Sequence, residues 1–267
     1  MGIMDSIPVL KGSIWRSSRW LIPFLIATLT LFNCDDSEPP DSEIVKLLAP
    51  DAQAGDGFGY SVALSPAEGG VSGDYAIVGA DGEDAGGIGA GAAYVFRRTG
   101  ANSWDGGTRI VAPDAQAYAF FGTSVALSGD YAIVGAPWAW EYTGGILAGA
   151  AYIFKRTGAN SWDGGTKIAA PDAQAEDYFG RSVALSGDYA IVGADGEDAG
   201  GMFAGAAYVF RRTGTNSWDG GTKIMAPDAE GYDGFGWSVA LSGDYSLVGA
   251  PYEDTGDIAG GAAYVFK

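Results

Sequence analysis

The chain has no histidine and a single cysteine, Cys34, among its 267 residues. Without histidine, the usual zinc sites, the Ser-His-Asp and Cys-His nucleophile systems and the commonest general base are all excluded. One cysteine cannot form an internal disulfide. Basic residues are scarce too: 15 Lys and Arg face 33 Asp and Glu, a formal charge of −18. Such a surface repels phosphate backbones and anionic headgroups, which argues against nucleic acid or direct membrane-surface binding. Helical periodicity is missing as well. Any bound metal must use oxygen ligands, which restricts the choice to ions such as calcium or magnesium.

What is present begins with an export pattern. Lys11, Arg16 and Arg19 precede an uncharged apolar run from Trp20 to Phe32. That run is short for a membrane span and suits a signal-peptide core, so residues 1–33 are expected to be a signal. It ends in Leu31-Phe32-Asn33-Cys34, followed by Asp35, Asp36 and a Pro/Ser/acidic stretch to Glu43. This resembles a bacterial lipoprotein signal, which implies lipidation at Cys34 and a solvated acidic tether over 34–43. Phe32 and Asn33 stand where that signal prefers small residues; an ordinary signal peptide or an uncleaved anchor is the alternative. Losing residues 1–33 removes three basic groups and one acid, taking the charge from −18 to −20. A lipid tail rather than the folded surface would then hold the protein to a membrane, at the cell envelope or surface.

Internal repetition dominates the remainder. Phe-Gly-x-Ser-Val-Ala-Leu-Ser starts at Phe58, Phe121, Phe179 and Phe235. Each copy continues through Gly-Asp-Tyr, an apolar run ending in Val-Gly-Ala, and Gly-Ala-Ala-Tyr-(Val/Ile)-Phe. Three copies pass on through Asn-Ser-Trp-Asp-Gly-Gly-Thr to Ala-Pro-Asp. The period is 56 residues, lengthened by the insertion Pro66–Ser72 and by two residues near Trp138–Tyr142. Each period holds four short strand-like runs, separated by Ser-Gly-Asp, Gly-rich and Asp-Gly-Gly turn chemistry. The second and third runs are apolar on both faces, as strands between stacked sheets must be. These features predict an all-β, β-propeller-type array of four four-stranded repeats, over about 44–107, 108–165, 166–221 and 222–267. Ile44–Leu48 matches the fourth strand type and could complete the last sheet. A closed four-bladed ring, an open arc and a fragment of a larger propeller all fit.

Phe121-Gly122 with Val134-Gly135-Ala136-Pro137, and Phe235-Gly236 with Gly249-Ala250-Pro251, resemble the FG-GAP repeat of integrin alpha-chain propellers and bacterial relatives. In the other two copies Asp81 and Asp195 replace the Pro. The resemblance implies a β-propeller used for protein–protein or matrix contact. Many relatives carry an Asp-rich calcium loop between the Phe-Gly and Gly-Ala-Pro strands, where this chain has only Ser-Gly-Asp. Calcium needs six or more oxygens over a longer loop, so that inherited site is expected to be absent. Asp74, Asp130, Asp188 and Asp244 would instead bond locally within hairpin turns.

Antiparallel strands put the Ser-Gly-Asp and Arg-Thr-Gly…Asp-Gly-Gly links on one side and the links after Val-Gly-Ala and Ala-Pro-Asp on the other. The first side repeats almost unchanged; the second varies, and is where specific binding is expected. Trp138, Trp140, Glu141 and Tyr142 form an excursion unique to one copy, suited to anchoring a protein partner or stacking on a sugar. Inward packing of the same rings is the alternative. Tyr60, Thr123, Arg181 and Trp237 occupy the variable position after Phe-Gly and could line the same face. Asp81, Glu83, Asp84, Asp195, Glu197 and Asp198 form acidic Gly-rich loops, the one place where calcium is possible; solvated turns are the bland reading. Trp104, Trp162 and Trp218 are expected to be packing residues, and the paired basic residues at 97–98, 155–156 and 211–212 to meet nearby acids.

Three functions compete. One is an exported, non-catalytic surface binding or adhesion module with a protein or glycan ligand and no cofactor. A second is a structural envelope protein that self-associates. The third, a carbohydrate-active enzyme using two carboxylates, lacks a unique acidic pair, because most Asp and Glu recur between copies.

Overall fold

The computed structural model describes residues 44–65, 74–140, 147–254 and 260–267. The expected signal and tether, Cys34, the Pro66–Ser72 insertion, Glu141 and Tyr142 lie outside the described residues.

Among the described residues all regular structure is β, in four successive antiparallel sheets. The first holds β1 (Val62–Ser65), β2 (Tyr75–Ala80), β3 (Ala92–Gly100), β4 (Ser103–Trp104) and β5 (Thr108–Ile110). The second holds β6 (Ser124–Ser128), β7 (Tyr131–Ala136), β8 (Ala150–Gly158), β9 (Ser161–Trp162) and β10 (Thr166–Ile168). The third repeats the pattern with β11 (Ser182–Ser186), β12 (Tyr189–Ala194), β13 (Ala206–Gly214), β14 (Ser217–Trp218) and β15 (Thr222–Ile224). The fourth has three strands, β16 (Ser238–Ser242), β17 (Tyr245–Ala250) and β18 (Ala262–Phe266). Within a full sheet the order is first, second, third and fifth strand; the two-residue fourth strand pairs with the far end of the third across a bulge. The Thr-Arg/Lys-Ile strand thus closes the sheet before it, so sheet boundaries fall after residues 110, 168 and 224 rather than before them.

Burial follows from stacking. The Tyr-Ala-Ile-Val-Gly-Ala strands β2 and β7 are buried at all six positions. Strand β7 has a sheet on each face, while β2 has the second sheet on one face and Leu47, Ala49, Phe58, Trp104 and Val111 on the other. Strand β6 alternates, with Val125 and Leu127 inward against Tyr75, Ile77 and Val95 of the first sheet. Tyr131, Ile133 and Ile153 repeat that contact against Val183 and Leu185. Phe121, Phe179 and Phe235 are wholly buried, each packed edge-on or tilted against a Tyr and a Phe of its own sheet, as in the Phe179–Tyr208 and Phe179–Phe210 pairs at 5.5 and 5.9 Å. The glycines of the signature meet at every sheet junction. A Cβ on Gly135 would collide with the Gly180 carbonyl, which also accepts the Ser124 hydroxyl at 2.8 Å. The Phe-Gly and Val-Gly-Ala elements are therefore two sides of one close approach.

The sheets form an open arrangement. Sheets one to two, two to three and three to four share cores. Of the arrangements the sequence left open, a four-bladed ring closed by Ile44–Leu48 is not the one formed: the segment forms no strand and does not pair with β18. Its downstream end is held elsewhere. Ala49 is buried against Ala76, Val78 and Tyr94 of the first sheet. Asp51 accepts the Tyr94 hydroxyl at 2.7 Å and an Arg109 N–H at 3.2 Å. Among the described residues, no helix is long and apolar enough to cross a membrane.

Candidate functional site

The two rims differ in how their loops are held. On the Ser-Gly-Asp rim the aspartates of three hairpins pair with an arginine on the adjacent strand of their own sheet. Asp74 takes Arg98 at 2.5 Å, while Arg156 and Arg212 bond Asp130 and Asp188. Tyr75 donates its hydroxyl to the Ala159 carbonyl in the next sheet and lies edge-on to Trp162; Tyr131 does the same with Thr215 and Trp218. Trp162 and Trp218 are thus packing residues. Of each basic pair the second member, Arg98, Arg156 or Arg212, meets an acid through its side chain. Arg97, Lys155 and Arg211 instead donate their backbone N–H groups to Asp105, Asp163 and Asp219.

The opposite rim carries the turns that follow Ala-Pro-Asp. In three of them a buried carboxylate accepts a backbone N–H three residues upstream: Asp56 from Gln53 at 2.6 Å, Asp177 from Gln174 and Asp233 from Glu230, both at 2.7 Å. Burial, with the Glu197 charge adding to it, pushes the Asp177 carboxyl up to about 6. The residues flanking this turn position take positive φ. In the first copy they are Gly55 and Gly57, at 102° and 68°. The later copies place Tyr118 and Phe120, Glu176 and Tyr178, and Tyr232 at φ between 52° and 73°. A bulky residue in the left-handed region is strained by about 1 kcal/mol or more. Four aromatic rings occupy positions where glycine would be free of strain.

Several of those rings converge. Tyr178, Phe203, Tyr232, Trp237 and Tyr252 line a cleft of about 590 Å³ with Asp195 and Asp254. Arg181 stacks on Trp237 at 4.2 Å and reaches Asp195 at 4.0 Å, and Trp237 is edge-on to Tyr252. Trp138 leans on Tyr178 with ring centroids 4.8 Å apart. Burial raises the Asp195 carboxyl against the pull of Arg181, and its Oδ1 is buried with no hydrogen-bond partner. That oxygen is an unspent acceptor beneath the cleft wall, which a ligand hydroxyl or N–H reaches only where the wall opens.

Of the binding residues read from sequence, Arg181 and Trp237 line or flank this cleft, and Trp138 borders it through Tyr178. Trp140 has its backbone fixed, its N–H donating to Gln116 and its carbonyl accepting from Lys167, while its ring stays exposed. Tyr60 is exposed at the equivalent place in the first copy, whereas Thr123 turns its hydroxyl back to the Phe120 carbonyl. Tyr178, Phe203, Tyr232 and Tyr252 were not among the sequence candidates. The exchange of Gly55 and Gly57 for aromatic residues at matching positions is the signal that could have found Tyr178 and Tyr232.

The six loop carboxylates do not converge on one point. Glu83 bonds Arg109 and the Ala85 N–H, and Glu197 bonds Lys223 and the Ala199 N–H. Asp84 accepts from Gly89 and Asp198 from Phe203, both at 2.8 Å. Burial raises the Asp81 carboxyl, and Asp195 faces the cleft. Among the described residues no group of three or more acids is arranged to hold a metal ion.

No curated protein matches the chain. A family model described as FG-GAP repeat matches residues 42–96, 104–154, 162–210 and 218–266, in register with the four sheets. The chain belongs to the FG-GAP repeat family, whose repeats form a β-propeller-like module frequent in surface and binding proteins.

Proposed function

We propose that this protein is an exported, non-catalytic binding module that takes a surface ligand on its variable rim, with a glycan as the best fit. The observation that carries this reading is the set of aromatic side chains kept at strained, positive-φ positions around a cleft. Backbone strain of this kind persists where a side chain earns its place by function. Flat rings stack on the apolar faces of sugars, while Arg181, Asp195 and Asp254 offer donors and acceptors to hydroxyls. A protein ligand is the other occupant of such a face.

Several features support a binder over an enzyme. Apart from Asp195 beside Arg181, the carboxylates set beside cations on this rim belong to a repeated set: Tyr94, Asp51, Arg109 and Glu83 recur as Tyr208, Asp172, Lys223 and Glu197. A repeated constellation serves the frame, whereas catalysis needs a unique one. No cofactor is invoked, and calcium is not needed to hold the loops. Export with lipidation at Cys34 would hold the rim at the cell envelope.

The test is binding to a glycan array by the full chain, with Trp237→Ala and Tyr232→Ala as variants. Binding that falls at least tenfold in both, with unchanged thermal unfolding, supports the reading. No glycan binding, or binding indifferent to both changes, defeats it. Capture of a protein by the same rim, lost in both variants, moves the ligand to the protein class.

A further inference from the structure

The two ends of the sheet stack are unlike its middle. Val125 and Leu127 of β6 are 8% exposed because the first sheet covers them, but the equivalent Val62 and Leu64 of β1 are 70% exposed. At the other end, Tyr245, Leu247 and Val265 are exposed where their equivalents Tyr75, Ile77 and Val95 are buried by the next sheet. Each end therefore presents one half of an interface the molecule makes internally three times.

A strand and a charge are unmatched in the same way. The Thr-Arg/Lys-Ile strand pairs with the third strand of each full sheet in fixed register, Tyr94 opposite Arg109 and Val95 opposite Thr108. The basic residue then bonds two acids: Arg109 takes Glu83 and Asp51, and Lys223 takes Glu197 and Asp172. Among the described residues, β18 of the fourth sheet has no such outer strand. Asp228 accepts the Tyr264 hydroxyl at 2.9 Å, as Asp51 does from Tyr94, but no cation follows. Glu253, at the Glu83 position, is buried; its Oε2 has no hydrogen bond, and among the described residues it has no ion pair. Burial and the charges of Asp228, Asp233, Asp254 and Glu230 raise its carboxyl.

The missing pieces lie at the amino-terminal end of the described chain. Val45-Lys46-Leu47-Leu48-Ala49-Pro50-Asp51 aligns with Thr108-Arg109-Ile110-Val111-Ala112-Pro113-Asp114. Its last residues are already seated on the first sheet as the internal links are seated on theirs, with Ala49 buried and Asp51 bonded to Tyr94. Val45 and Lys46 are exposed and form no strand.

We propose that a second copy of this chain docks head to tail, Val45–Leu47 of one copy adding to β18 of the other as its outer strand. Lys46 then stands opposite Tyr264 and bonds Glu253 and Asp228, as Arg109 bonds Glu83 and Asp51. Val62 and Leu64 cover Tyr245, Leu247 and Val265. Backbone pairing supplies strand addition, and the pocketed charge fixes its register. The contact is heterologous, so it either closes a ring of copies or continues as a filament. Its Glu253 end adjoins Tyr252 and Asp254 of the aromatic cleft, whereas Val45, Lys46, Val62, Leu64 and Val265 lie outside the cleft lining.

The experiment uses the full chain in detergent, so that the apolar amino-terminal run does not itself drive association. Sedimentation velocity should show concentration-dependent species larger than a monomer. Lys46→Glu and Glu253→Lys should each weaken association at least tenfold, and the double change, which restores the pair between copies, should recover most of it. In a Cys34→Ser background, Val45→Cys combined with Val265→Cys should oxidise to disulfide-linked dimers and higher species on a non-reducing gel. A monomer at every concentration overturns the proposal. So does a Val45→Cys/Val265→Cys disulfide formed only within one chain, or association indifferent to all these changes. Loss of glycan binding by rim variants with association intact would separate the two readings.

Discussion

Tyr75 and Tyr131, on one rim, sit in nearly identical surroundings. Each donates to a backbone carbonyl of the next sheet, accepts from Arg156 or Arg212, lies under that guanidinium at 4.8 or 4.6 Å, and meets Trp162 or Trp218 edge-on. The matching turns of the other rim hold Gly55, Tyr118, Glu176 and Tyr232, all at positive φ but with three side-chain chemistries. The same repeating chain thus produces a rim in which side chains lock neighbours together and one in which the backbone does the locking. Only the second leaves its side chains free to differ. Sameness marks the frame, and difference on a fixed backbone marks the surface that meets a ligand.

The comparison breaks first in the core both rims depend on. Phe179→Ala should cost about 3–5 kcal/mol, since a fully buried ring between two sheets leaves a cavity that its edge-on partners cannot fill. Denaturant unfolding measures it, and a loss below about 1 kcal/mol would mean that the stacked sheets are not the stabilising unit. A matched pair of tryptophans then sets rim against rim. Trp162→Ala should cost about 2 kcal/mol through lost packing on Tyr75, while Trp140→Ala should stay within about 0.5 kcal/mol. Equal costs would erase the distinction.

A third substitution has the opposite sign. Tyr118 is exposed with φ 61°, where Gly55 takes the same place in the first copy. Tyr118→Gly relieves the left-handed strain but loosens the unfolded chain, so the net gain is up to about 1 kcal/mol. A stabilised variant that binds ligand less well would show strain retained for function. A destabilised one would make Tyr118 a packing residue and weaken the case for the rim.

The frame could be read from the residues because its signals repeat in register: four Phe-Gly copies, four apolar Tyr-x-(Ile/Leu)-Val-Gly-Ala runs, and turn residues between them. The rim assignment of the variable links held for the same reason, since strand alternation alone fixes it. Sequence could not say that the ring stays open, because Ile44–Leu48 has the composition of an outer strand and only the seating of Ala49 and Asp51 reveals which sheet holds it. The carboxylates were visible but not their direction: Glu83 and Glu197 look like loop acids until Arg109 and Lys223 are placed beside them. Tyr178 and Tyr232 were missed because positive φ is a property of the turn, legible only when Gly55 and Gly57 are set against their counterparts.

The smallest effect concerns how the variable rim is braced. Asp177 is nearly fully buried, and its carboxyl is raised from the ordinary 3.8 to about 6. Between these values the native state binds a proton that the unfolded chain has released, so this group's contribution to stability is greatest below about pH 4 and falls as pH rises toward 6. Above that it is flat. Asp177→Asn keeps an oxygen to accept the Gln174 N–H and removes the titration, but it buries an amide whose own N–H groups need partners. The two changes offset, leaving a net shift at pH 7 of about 0.5 kcal/mol of either sign. The pH profile is the sharper readout: unfolding free energy measured from pH 4 to 7 should decline less steeply in the variant than in the parent. Parallel profiles would mean that the turn carboxyl is ionised in the native state throughout, and that backbone hydrogen bonding outweighs burial in holding the rim.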